Sequence, residues 1–461
     1  MHFFIQIERV QKKRFSFETD SGQPVVTQLN DNAMNELFLI YLWEQRLLRL
    51  PLQTTDGQPV EVLFPGIRNE DAGPDFSQAR IRIGPTLWAG SVEMHINATD
   101  WYKHHHDSNP AYENVVLHVV FHEDKKVYDK ARNVLPTLEV KGHFDDYLLL
   151  NYRRFADSRQ WLPCGKLAGN VQRFTWLSWL DRMATERMEE KTDKVLSLAA
   201  QLNFDWDEVF WHLLMAAMGF KVNQEAFGRL ARALPFTLML RHADQLMQLE
   251  ALLLGTAGLL DGAYQEDYPL KLQSEYAFLK KKYKLNTMPP GSWKFMRMRP
   301  ANFPTVRMAQ VAMLVHTHGR LLSKVLNETA GSLPELFSLT AGEYWNTHYR
   351  PGEPSGERPK KMGPDTVNLV MINSVAVLLF AWGHAHHDQH RKDKALMLLE
   401  ALPAENNQLT RRFALSGINA VNALHSQALL HLHRNYCTPR KCLECRIGSL
   451  LIRSRQDEIQ L

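Results

Sequence analysis

The chain has 461 residues, 45% of them hydrophobic and 23% charged, a balance that excludes a disordered polymer and leaves room for two or three cores. Four cysteines in this length exclude a disulfide-stapled secreted scaffold. The formal charge of +4 conceals an asymmetry: residues 1–160 carry 18 Lys/Arg against 22 Asp/Glu, and the remainder 36 against 28, so the first third suits cations and the rest suits polyanions.

Met1–Phe17 has no uninterrupted apolar run after a basic start, so no signal peptide is expected. Asp31–Leu47 (DNAMNELFLIYLWEQRL) predicts a helix capped by Asp31 or Asn32. The period then changes to two. Val60–Phe64 predicts a short strand, and Asp75–Ile83 turns at Gly84-Pro85 into Thr86–Ile96 as a hairpin. Asp100–Tyr112 is a short helix or a loop, Val115–Phe121 a buried strand, and Thr137–Lys141 a further strand.

From Phe174 onward the pattern is helical: Thr175–Ala200, Trp206–Met218, Asn223–Leu234, Ala243–Leu260, Gln273–Tyr283, Val306–Leu326, Val367–Trp382, His390–Leu402 and Gln408–Arg434. Val367–Trp382 is interrupted by Asn368, Asn373 and Ser374 and predicts a buried helix, not a membrane span. Asn286–Pro304 and Tyr349–Pro364 are Pro/Gly-rich linkers or functional loops. The expected architecture is α+β: a mixed α/β module over 1–160, a helical domain over 161–435, and a cysteine-bearing tail over 436–461 packed on the junction. The expected location is the cytoplasm, without membrane contact and with the oligomeric state open.

The dense chemistry lies between Asp75 and His122. In a strand, Glu93 and His95 share a face, and the hairpin brings Asp75 to their end of the sheet. Two carboxylates and an imidazole meeting at one point suit Mg²⁺, Mn²⁺ or Zn²⁺. His118 stands inside VVLHVVF, where a strand histidine serves either as a core hydrogen-bonder or as a ligand. Of the adjacent His104, His105 and His106, one or two can face the same centre.

The order helix, strand, hairpin, helix, strand, with Pro74-Asp75 followed by Glu93-Met94-His95, resembles the PD-(D/E)xK nuclease superfamily, the restriction-endonuclease-like fold. The resemblance covers residues 32–142. It implies Asp75 and Glu93 as ligands of Mg²⁺ or Mn²⁺, and Glu44 or Glu36 as the helix acid. His95 stands where the motif has lysine. A literal E-x-K, Glu139-Val140-Lys141, occurs later and needs a different pairing with Asp75. The whole chain also resembles a bacterial domain-of-unknown-function family in GPDF, GSVEMHINATDW, ENVVLHVVFHED, MRMRPANFPTVRMAQ, Gly363–Asp365 and NYCTPRKCLECRIG. That second resemblance implies no activity.

Cys437, Cys442 and Cys445 give C-x4-C-x2-C, a spacing at which thiolates reach one metal centre. Cys164, in Leu162-Pro163-Cys164-Gly165, is the candidate fourth ligand, with His431 and His433 as alternatives. Zinc and a [4Fe–4S] cluster both fit. Trp293–Pro304 interleaves cations with aromatics, and Arg297, Arg299 and Arg307 are the candidate nucleic-acid contacts. The chemistry therefore predicts a divalent-metal phosphodiesterase acting on nucleic acid. A non-catalytic nucleic-acid-binding or scaffold protein, and a zinc-type hydrolase of a small substrate using His95, His118 and Glu93, stand as alternatives.

Overall fold

The computed structural model describes residues 34–289 and 291–455. The expected caps Asp31 and Asn32, and the Met1–Phe17 segment, lie outside the described residues. The chain divides into two compact units at Leu150/Asn151.

In the first unit, helix α1 runs over Glu36–Glu44 and is capped by Asn35, whose side chain accepts the Phe38 N–H at 2.9 Å. Six consecutive residues, Phe38 to Trp43, are buried, so α1 is apolar around its circumference and sinks into the core beyond its exposed Leu37. Only its ends offer charged groups. The strands are β1 (Leu52–Gln53), β2 (Pro59–Phe64), β3 (Ile67–Arg68), β4 (Phe76–Ile83), β5 (Thr86–Asn97), β6 (Val115–His122) and β7 (Thr137–Glu139). They form one mixed sheet in the order β1-β2-β4-β5-β6-β7, with β3 pairing the start of β4.

The expected hairpin is β4–β5, antiparallel, while β5, β6 and β7 run parallel to one another. Parallel pairing requires a crossover, and the segment between β5 and β6 supplies it with the short helix α2 (Asp100–Lys103) and a 3-10 turn at Pro110–Tyr112. Trp101 packs with Ala98, Val115, Val120, Val127 and Leu135 to pin the crossover down. The first four residues of β5 are exposed and the next six, Gly90 to His95, are buried. Polar side chains in that buried half must find partners within the protein.

One irregularity sets the register. Ala79 pairs with Gly90, yet Phe76 pairs with Val92, so β4 carries one extra residue; Gln78 takes the left-handed conformation there, with φ of 59°. A slip of one residue exchanges the two faces of a strand. The bulge thereby brings Asp75 alongside Glu93 instead of Met94. Just upstream, Gly73 has φ of 123°, a backbone state that only glycine adopts without strain, and Asn69 ties the turn by donating to the Pro74 carbonyl at 3.2 Å.

The second unit is helical apart from the small hairpin His348–Arg350/Glu353–Pro354. Two expected helices are each divided. Val306–Leu326 is Pro304–His318 and Leu321–Asn327, broken where Gly319 turns with φ of 57°. Gln408–Arg434 is Gln408–Leu415 and Ala423–Leu432, broken at Gly417 with φ of 83°. Among the described residues, one helix, Pro364–Ala385, is long and apolar enough to cross a membrane; 78% of its apolar window is buried within the fold, so it packs as a core helix.

Candidate metal centre

The end of β5 and the crossover that follows it converge on one cluster. Glu93 and His95 project from the same face of β5, with His95 Nε2 lying 3.6 Å from Glu93 Oε1. His106 Nε2 approaches the same carboxylate oxygen at 3.1 Å. His104 Nδ1 lies 3.1 Å from His95 Nε2. Ligand atoms of His95, His104 and His106 all fall within 4.8 Å of one another. For metal–nitrogen bonds near 2.0–2.1 Å, a tetrahedron has edges of about 3.3 Å. The observed separations bracket that value.

α2 ends at Lys103, and His105 adopts a left-handed conformation with φ of 61°. The reversal lets His104 and His106 face the same centre while His105 is exposed. His118, fully buried on β6, is paired in register with Glu93, and its Nε2 meets His95 Nδ1 at 2.8 Å. It serves as an orienting partner for His95, the outer-shell arrangement that fixes a ligating imidazole. His106 stacks on Tyr112 at a centroid distance of 3.7 Å. Its Nδ1 and the Nδ1 of His118 are buried without a partner, a condition that concentrates at functional sites.

Two further carboxylates border the cluster. The Asp75 N–H donates to Glu93 Oε2 at 3.0 Å, and Asp75 Oδ2 accepts the Met94 N–H at 2.9 Å. Glu36, at the start of α1, adds its charge to both. Burial, then the charge of Asp75, pushes the Glu93 carboxyl up to about 9, and burial raises Asp75 to about 6. Burial and the neighbouring imidazoles hold His95 down to about 2, His118 to about 3 and His106 to about 4. Neutral imidazoles have lone pairs free for a cation, and the crowded carboxyls gain most from one. His104 is exposed and Asp75 partly so, which leaves this edge of the cluster open.

The family described as Protein of unknown function (DUF2851) matches residues 36–408. The chain belongs to that family. No curated protein and no solved structure matches the chain. The family match spans Glu36, Asp75, Glu93, His95, His104, His106 and Cys164, and ends before the cysteine trio.

Of the two glutamates on α1, the one facing the cluster is Glu36. Glu44 is exposed, about two turns and 12 Å further along the helix, and this corrects its assignment as the helix acid. Glu139 of the literal E-x-K lies on β7, beyond β6, where it accepts the Glu123 N–H at 2.7 Å and pairs with His122. His106 is a residue that sequence reasoning did not single out among the three adjacent histidines; its signal was the i, i+2 spacing with His104 just beyond a helix end.

The second unit gathers the cysteines. Cys437, Cys442 and Cys445 are buried and Cys164 is nearly so. Burial and mutual repulsion push the thiols of Cys164 and Cys442 up to about 12, and that of Cys437 well up. Both Cys437 and Cys164 feel Cys442 and Cys445, which places Cys164 with the trio. His431 is turned elsewhere, to Glu186 and Glu190 at 3.3 and 3.7 Å, and His433 packs on Trp161. Arg440 is a structural clamp: its guanidinium donates to the carbonyls of Ser158, Gln160 and Cys437 at 2.6–3.0 Å, tying the two cysteine-bearing loops together.

The basic loop is anchored by its aromatics. Trp293 is buried and donates to the Ala257 carbonyl at 2.8 Å, and Phe295 packs edge-on to Phe303. Arg297 and Arg299 are exposed. Arg307 is not a nucleic-acid contact. It is 2% exposed, and its guanidinium donates to Gln310, Asn302 and Thr366 at 2.6–2.8 Å, so it holds the helix Pro304–His318 in place.

Proposed function

We propose that this chain is a divalent-metal-dependent hydrolase that cleaves phosphodiester bonds in nucleic acid. The observation that carries the reading is the convergence of Asp75, Glu93 and His95 at one partly open place, joined by His104, His106 and the helix acid Glu36. The succession α1, β2, the β4–β5 hairpin, α2 and β6 supports the likeness to the PD-(D/E)xK superfamily. A bound cation neutralises charge developing on the phosphate and lowers the pKa of a coordinated water. Glu93, His95, His104 and His106 would hold it, and the exposed carboxyl edge of Asp75 would border the attacking water. Three imidazoles beside one carboxylate favour Mn²⁺ or Zn²⁺ over Mg²⁺, which prefers oxygen. His95 does not replace the missing lysine as an activating cation, because it is buried, neutral and bonded to His118. In the second unit, the exposed Arg297 and Arg299 suit the phosphate backbone.

A zinc-type hydrolase of a small substrate is the second reading, favoured by the same imidazole trio. The purified chain assayed on single- and double-stranded DNA and RNA with Mn²⁺, Zn²⁺ or Mg²⁺, beside Glu93→Ala, tests both. Metal-dependent cleavage that Glu93→Ala abolishes is expected. Tight metal binding without cleavage of any nucleic acid overturns the nuclease reading and leaves the small-substrate one. No metal binding overturns both.

A further inference from the structure

The cysteines of the second unit stand apart from the acidic and imidazole cluster in sequence and in chemistry. A single zinc ion draws four thiolates to about 2.3 Å, and therefore draws their sulfurs to within about 3.8 Å of one another. Among the described residues, only His95, His104 and His106 place three ligand atoms all within 4.8 Å. No three of the four thiols do so, although all four lie close enough to raise one another's pKa. Their sulfurs are gathered more loosely than the ligand atoms of that trio. When four thiolates are shared among two or more irons, only some sulfurs are close neighbours and the rest are held apart across the cluster.

The chain at this place is also arranged for negative sulfur. Cys445 caps the helix Arg446–Arg453, and the N–H groups of Ile447 and Gly448 favour its thiolate. The Trp179 indole N–H favours the same thiolate and is otherwise a buried donor without a partner. Arg440 adds positive charge beside Cys437 and Cys442 while it clamps the Cys164 loop to the trio. N–H groups aimed at sulfur and an adjacent guanidinium are the outer-shell groups that stabilise an anionic cluster and tune its potential. The trio itself, C-x4-C-x2-C with a distant fourth cysteine, has a spacing that iron–sulfur clusters use.

We infer that Cys164, Cys437, Cys442 and Cys445 hold an iron–sulfur cluster, not a zinc ion. The cluster joins the loop before the helix Arg173–Gln201 to the C-terminal helix Arg446–Arg453 within the second unit.

The full chain purified without oxygen, and reconstituted with ferrous iron and sulfide in the presence of competing Zn²⁺, tests this. Expected are iron and acid-labile sulfide in equal amounts, about four or about two of each per chain, with a broad visible absorbance that bleaches on reduction. The amount per chain distinguishes the [4Fe–4S] form from the [2Fe–2S] form. Zinc bound without iron or sulfide overturns the inference, as does a chain that takes up neither. Cys442→Ser is expected to lose the visible band. Should that variant fail to fold, the metal and sulfide content of the unaltered chain decides the matter alone. Because Glu93→Ala leaves every thiol in place, its acid-labile sulfide and visible band are expected to be unchanged.

Discussion

The backbone N–H of Asp75 donates to the side chain of Glu93 at 3.0 Å, so the strand that carries one carboxylate also holds the other in place. That relationship depends on the bulge at Gln78, which shifts Asp75 from the register of Met94 to that of Glu93. Inserting one alanine between Asp75 and Phe76 places Asp75 opposite Met94 and sends its side chain to the opposite face. The insertion is expected to weaken Mn²⁺ or Zn²⁺ binding at this site, read by calorimetry. Gln78→Gly, which fits φ of 59° without strain, is expected to retain it. Equal affinity in the insertion variant and the parent would detach Asp75 from the centre.

His118 touches His95 but lies behind it, with Nε2 at 2.8 Å from His95 Nδ1 and no exposed surface. Its role is to fix the tautomer and the ring of His95, leaving Nε2 directed at the cluster. His118→Phe keeps the bulk and removes the partner, and is expected to weaken metal binding by about 10–100-fold. His106→Ala removes a proposed ligand and is expected to cost more than that. Titrations of the two variants against the parent check the order, and a reversal would exchange the roles of the two histidines.

The titratable groups oppose one another across the pH scale. Burial and Asp75 raise Glu93 from 4.5 to about 9, so the metal-free native state keeps a proton that the unfolded chain releases. Stability contributed in this way is lost as pH rises through that window. His95, His106 and His118 are shifted down from 6.5, so the unfolded chain takes up protons first and stability is lost as pH falls below 6.5. Within this cluster only the Glu93 contribution changes between pH 6.5 and about 9, while Lys191 and Lys394, lowered by burial to about 7 and about 8, act in the opposite sense. Thermal melts of metal-free protein are expected to show the Tm of the parent falling relative to that of Glu93→Gln over that interval. Metal binding near neutral pH is expected to release a proton, seen as buffer-dependent heat.

Much of this was legible in the sequence because period-two and period-3.6 patterns reveal which face is buried. The β4–β5 hairpin, the shared face of Glu93 and His95, and the helices Trp206–Met218 and Gln389–Ala401 all follow from such patterns, whereas the pairing of Asp75 with Glu93 needs the bulge at Gln78. Three further features do not follow from them. Which end of α1 carries the acid cannot be read from a helix with six consecutive buried residues, since no polar face marks the side of the site. The convergence of His104 and His106 needs the left-handed turn at His105, a conformation uncommon outside glycine that nothing in a run of three histidines assigns to the middle one. Gly319 and Gly417 end helices inside runs that are otherwise apolar at helical spacing, and their positive φ is a property of the packed chain.

The arginines of the second unit separate a structural cation from surface ones. Arg307 is buried, donates to three side chains, lies over the Phe220 ring at 4.9 Å, and is held below its ordinary pKa by burial. Arg307→Ala leaves the Gln310, Asn302 and Thr366 acceptors without their donor and opens a cavity, at a cost of about 3 kcal/mol. A lowered denaturation midpoint is expected. Arg297 and Arg299 are exposed, so Arg297→Ala with Arg299→Ala is expected to leave stability within about 0.5 kcal/mol. If these two contact phosphates, the pair of substitutions weakens binding uniformly across nucleic-acid sequences and reduces the salt slope by about two. Fluorescence anisotropy over a salt series reads this, and a slope unchanged by the double substitution would remove both from the interface.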